Sequence, residues 1–75
     1  MENLNEKEFL IAFGKNLRRV RQAQGFTQAQ LANDIGVEIS QISRIERGII
    51  NTSVGNVNAI SSALRVDIKD LFDLS

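Results

Sequence analysis

The chain has 75 residues, nine of them basic and nine acidic, with no histidine, no cysteine and no proline. Lacking histidine and cysteine, it lacks the usual general base, thiol nucleophile and transition-metal ligands; its carboxylates are scattered along helical segments, so neither an enzyme nor a metal site is expected. No apolar run approaches the roughly 20 residues of a membrane span, the amino-terminal MENLNEKEF is too acidic for a secretory signal, and the absence of cysteine fits a cytoplasmic setting.

Helical periodicity dominates, and no stretch alternates like a strand. Asn5, with Glu8 three residues on, caps a first helix that runs to about Gln24. Its core stripe is Phe9, Phe13, Leu17 and Val20, and Gly25 follows where a helix end takes a positive φ. Thr27-Gln28-Ala29-Gln30 is a capping box that opens a second helix. That helix buries Leu31, Ala32 and Ile35 and stops at Gly36. A third covers about 38–47, with Ile42 and Ile45 inward, and ends at Gly48. Ser53 caps a fourth carrying Val57, Ile60 and Leu64, and Asp67 caps a short fifth holding Ile68, Leu71 and Phe72. No repeat or linker interrupts the chain. The expected fold is all-α, a five-helix domain over residues 1–75 with a core only just large enough for its length.

The segment TQAQLANDIGVEISQISRIERG, Thr27 to Gly48, shows what the short helices are for. Ala32 is small enough to let another helix backbone approach, and Gly36 turns the chain at no steric cost. Leu31, Ile35, Val37, Ile42 and Ile45 then share one apolar seam between helices crossing steeply, which is the pattern of a helix-turn-helix over about 27–48. Net charge is zero, but its distribution is uneven. Six basic residues (Lys15, Arg18, Arg19, Arg21, Arg44, Arg47) face three acids between positions 15 and 47, a local +3.

From about Phe13 to Phe72 the chain resembles the helix-turn-helix domain of lambdoid phage repressors and Cro, the XRE type of bacterial regulator. LRRVRQAQGFTQAQLANDIGV, ISRIERG and ISSALRVDIKDLF carry the likeness. The resemblance implies a lambda-repressor-like fold and a sequence-specific regulator of transcription, a repressor, that binds double-stranded DNA. Its third helix would lie in the major groove. By position, Glu38, Ile39, Ser40 and Arg44 would meet base edges, and Gln28, Gln41 and Arg47 would hold phosphates. Arg21 and Glu46 would form an ion pair tying the first helix to the third. Two-fold pairing on a palindromic site implies a homodimer. No cofactor, membrane or small-molecule ligand is implied.

The residues bear on these assignments directly. With Ile42 and Ile45 inward, Ser40, Arg44 and Arg47 point outward together. Arg44 is the outward side chain able to grip guanine O6 and N7. Gln28 sits in the first turn after Thr27, where free N–H groups and the helix dipole favour a phosphate. Glu46 lies about 40° from Ile42 on the helical wheel, half-buried and in need of a partner such as Arg21. Ile39, about 60° from Ile42, is expected to turn toward the core. Glu38 stands where such regulators carry a small polar cap. Of Ile49 and Ile50, one is expected to fill the core under the fourth helix and the other to face a partner. Leu10, Ile11 and Leu74 widen the apolar surface and mark an interface. A second reading stays open: a protein-interaction module or antitoxin that keeps the fold with weak or no DNA binding.

Overall fold

Helices α1, α2 and α4 start where a side chain takes over a backbone N–H that the helix itself leaves unpaired. The computed structural model describes residues 4–74. Over them the chain forms α1 (Glu6–Ala23), α2 (Gln28–Ile35), α3 (Ile39–Glu46), α4 (Val54–Leu64) and α5 (Ile68–Leu71), with no strand among the described residues. Asn5 and Glu8 exchange bonds in a reciprocal box at α1: Asn5 Oδ1 accepts from Glu8 N at 2.8 Å and Glu8 Oε1 from Asn5 N at 3.2 Å. Thr27 and Gln30 do the same at α2, and Ser53 Oγ accepts from Asn56 N at α4.

Four of the five helices end in one common pattern. In α1, α2, α3 and α4 two consecutive N–H groups reach back into the last turn, as in Phe26 N to Arg21 O and Gly25 N to Gln22 O. This double bond pattern needs a residue at positive φ. Gly25, Gly36 and Gly48 supply it in three cases, and Arg65 (φ 60°) in the fourth.

Apolar stripes from all five helices meet in one core: Phe13, Leu17 and Val20; Leu31 and Ala32; Ile42 and Ile45; Val57, Ile60 and Leu64; and Leu71. Leu17, Leu31, Ile42, Ile60, Leu64 and Leu71 are essentially sealed from solvent. Burying each such side chain contributes about 1.5–3 kcal/mol. Helix α1 packs on α3 and α5, α2 on α3 and α4, and α4 on α5. The five-helix, all-α expectation is borne out.

Polar side chains cross-link the elements as well. Asn16 is buried, and its Nδ2 donates to Asp70 O at 2.8 Å and Leu71 O at 2.9 Å, closing the carboxyl end of α5 onto α1. Gln24 Nε2 donates to Leu64 O at the end of α4.

Several side chains sit elsewhere than the periodicity predicts. Phe9 lies at 37% exposure, with the Phe13 and Phe72 ring centroids 6.5 Å away in each case. Ile35 is half-buried. Leu10 and Ile11 are half-buried too, and Leu74 packs against the core from beyond the end of α5, which stops at Leu71 without extending to Leu74. Among the described residues, the exposed large apolar side chains are instead Phe9, Ile68 and Phe72, with Leu4, Ile39, Ile49 and Val54. Ile50 does pack on the core while Ile49 faces out.

Candidate nucleic-acid interface

Helix α2 ends in a turn that only a residue free of a Cβ adopts cheaply: Gly36 has φ 73°, with Val37 N bonded to Ala32 O. The sharp turn sends α3 across α2, and buried Leu31, Ala32, Ile42 and Ile45 seal the crossing, with Ile35 and Val37 at its edge. On the far side α1 presses on α3 through Gly14. A Cβ there would meet the Ile45 carbonyl oxygen at 2.5 Å and the Glu46 carbonyl carbon at 2.7 Å.

The last turn of α3 is held by a buried polar cluster. Arg21 Nε donates to Glu46 Oε2 at 2.7 Å and Arg21 Nη2 to Glu46 Oε1 at 3.1 Å. Gln28 Nε2 adds a bond to Oε1 at 3.0 Å, and Arg21 Nη1 donates to Phe26 O. Arg21 and Glu46 are both buried. A carboxylate removed from water needs its lone pairs filled, and here three donors from two other helices do so. Three helices are thereby locked in one relative orientation.

What this frame presents outward is one strip of α3. Residues 39, 40, 43, 44 and 47 follow the i, i+4 rows of a helix surface. Ile39, Ser40, Arg44 and Arg47 are exposed, Ser43 half-buried between them. Arg47 Nε donates to Ser43 O, and Gln41 is half-buried beside the strip. Glu38 precedes the helix as its cap residue in extended backbone, yet its side chain makes no capping bond and stays exposed.

Three positions differ from the sequence expectation or refine it. Ile39 does not turn toward the core; it is 50% exposed. The helical wheel assumes a neighbour over every turn; Ile35 and Val37 pack on the core ahead of α3, while Ile39 stays outside it. Glu46 is fully rather than half-buried. The Gln28 amide points at Glu46, leaving the first-turn N–H groups of α2 ahead of Gln30 as the donors open to an anion. Sequence periodicity does not single out Gly14 or Asn16, and it marks Gln24 only as the end of the first helix. A glycine inside an otherwise strong helical run, costing about 1 kcal/mol in propensity, was the available signal for Gly14.

Residues 17–71 match the family model described as helix-turn-helix. The chain belongs to the helix-turn-helix family. Control protein C.BamHI of Bacillus amyloliquefaciens is 38% identical to it over 66 residues, 87% of this chain and 82% of that protein. The HTH-type transcriptional regulator SlrR of Bacillus subtilis (strain 168) is 39% identical over 61 residues, 80% of this chain but 40% of that protein. The crystal structure of the restriction-modification controller protein C.AhdI from Aeromonas hydrophila superposes with a TM-score of 0.81 at 36% identity, covering 84% of this chain and 96% of that one. The expected kinship with XRE-type regulators is borne out, and this helix-turn-helix protein is a member of a family of DNA-binding regulators of transcription. Among its described residues no helix is long and apolar enough to cross a membrane.

Proposed function

We propose that the chain is a sequence-specific, double-stranded-DNA-binding repressor that acts in the cytoplasm as a homodimer, with α3 in the major groove. The observation that carries this reading is the outward strip of α3, anchored from behind by the Arg21–Glu46–Gln28 cluster. A rigid support of this kind is what base recognition to within a fraction of an ångström requires.

In this arrangement Arg44 reaches a guanine edge, Ser40 and Glu38 meet base donors, and Arg47 and Gln41 take phosphates on either side. Gln28 contributes its backbone N–H at the start of α2, its side chain being held by Glu46. The acids concentrate elsewhere: Glu6 and Glu8 begin α1, and Asp67 and Asp70 accompany α5. The resulting charge separation orients the molecule with α3 toward the phosphates.

Pairing is supported by the apolar groove of Phe9, Leu10, Phe13, Val54, Val57 and Phe72, about 190 Å³ in volume, with Phe72 and Val54 exposed at its rim. A dimer would place two α3 helices about one turn of DNA apart. The near end-to-end match to a restriction-modification controller supports a role of that kind within the class. Exposed Ile39 and Ile49 favour a second reading, a protein-interaction module.

Selection of random duplex DNA by the purified chain, with sequencing of what is retained, tests the proposal. Enrichment of a palindrome with half-sites roughly ten base pairs apart, bound more weakly as salt rises, is the expected result. No enrichment at low salt would transfer the assignment to the interaction module.

A further inference from the structure

Among the outward residues of the α3 strip, Ser40, Ser43, Arg44 and Arg47 all carry hydrogen-bonding groups; Ile39 carries none. Its aliphatic side chain is half exposed at the first residue of the helix, the end that enters the groove deepest in helix-turn-helix docking. A lone exposed isoleucine needs no explanation on an ordinary surface. On this strip the position changes the question, because docking would strip water from Ile39 and set it against base edges. Donors and acceptors line the major-groove floor, and the one apolar group it offers is the C5-methyl of thymine, or of cytosine methylated at the same carbon. Ser40 and Ser43 flank Ile39 with side chains short enough to let a base edge approach, and the uncapped Glu38 leaves the turn ahead of it open.

We propose that Ile39 is a specificity-determining residue that recognises the C5-methyl group of a pyrimidine in each half-site. The inference rests on the DNA-binding reading above and names part of what that reading selects. The recognition is van der Waals and hydrophobic, and it discriminates thymine from cytosine by one methyl group.

The test uses the full chain and the duplex retained by selection, with each thymine replaced in turn by deoxyuridine and each cytosine by 5-methylcytosine. Removing the recognised methyl weakens binding about four-fold per half-site, and about fifteen-fold when both halves are substituted, the effect of burying one methyl-sized group. A loss at one deoxyuridine position identifies thymine as the source. A comparable gain at one 5-methylcytosine position, without a deoxyuridine loss, identifies methylated cytosine. In Ile39→Ala, with circular dichroism matching the parent, the response at that position disappears; in Ile39→Val most of it remains. Equal affinity for all substituted duplexes, or a response that persists in Ile39→Ala, overturns the inference while leaving the DNA-binding reading in place. A chain that retains no duplex overturns both.

Discussion

Gly14 lies directly against the peptide of Glu46, so α1 and the last turn of α3 touch backbone to backbone. Any Cβ at position 14 meets the Ile45 carbonyl oxygen at 2.5 Å, a contact with main chain that no rotamer change relieves. Gly14→Ala therefore forces the two helices apart. Alanine's better helix propensity returns about 1 kcal/mol, but overpacking against a fixed neighbour costs about 1–3 kcal/mol and separates the Arg21–Glu46 pair as well. The expected outcome is a lower melting temperature and a lower denaturation midpoint. A variant as stable as the parent would show that the crossing is looser than described.

The buried Arg21–Glu46 pair makes an asymmetric prediction. Glu46→Ala leaves the Arg21 guanidinium buried without its two carboxylate bonds and the Gln28 amide without its acceptor. A loss of about 3–5 kcal/mol is expected in chemical denaturation. Replacing both partners, Arg21→Met with Glu46→Leu, removes the stranded charge together with its counter-ion and is expected to cost distinctly less. If the double variant is no more stable than Glu46→Ala, the loss comes from shape and not from charge.

Arg44 and Arg47 are both exposed near the carboxyl half of α3 but face different jobs in the proposed complex. Arg44→Ala is expected to keep the fold and to relax preference at one base pair by about 1–3 kcal/mol, read by repeating the DNA selection. Arg47→Ala should weaken binding to all sequences alike and reduce the slope of log affinity against log salt by about one. Interchanged results would reverse the two assignments.

Arg65 holds φ 60° and ψ 42° at the end of α4, where the three other helices of the same termination carry glycine. A side chain in that region costs about 1–2 kcal/mol, part of which glycine loses again to unfolded-chain entropy. Arg65→Gly is expected to stabilise the domain by about 0.5–1 kcal/mol, raising the melting temperature by about 3–6 °C. Unchanged or reduced stability would mean that the arginine side chain contributes more than its backbone strain takes away.

The helix starts at Asn5, Thr27 and Ser53, the turn at Gly36, and most of the core stripe from Phe13 to Leu71 are legible in the sequence. The physical reason is range. A capping bond spans three residues, a terminating turn five, and an amphipathic stripe repeats every helical turn, so each is specified by neighbours along the chain. The likeness to helix-turn-helix regulators follows from the same local patterns. Contacts between residues far apart in the chain are set by folding alone: Gly14 against Glu46, Asn16 on the α5 carbonyls 54 and 55 positions away, and Gln28 on Glu46. Exposure at helix ends belongs to the same group. Phe9 and Ile39 each lie near the start of a helix, where a helical wheel names the inward direction but cannot say whether any other element lies there to cover it. No local spacing encodes that cover; for Ile39 its absence leaves an aliphatic side chain exposed on the outward strip of α3, the surface proposed to meet DNA.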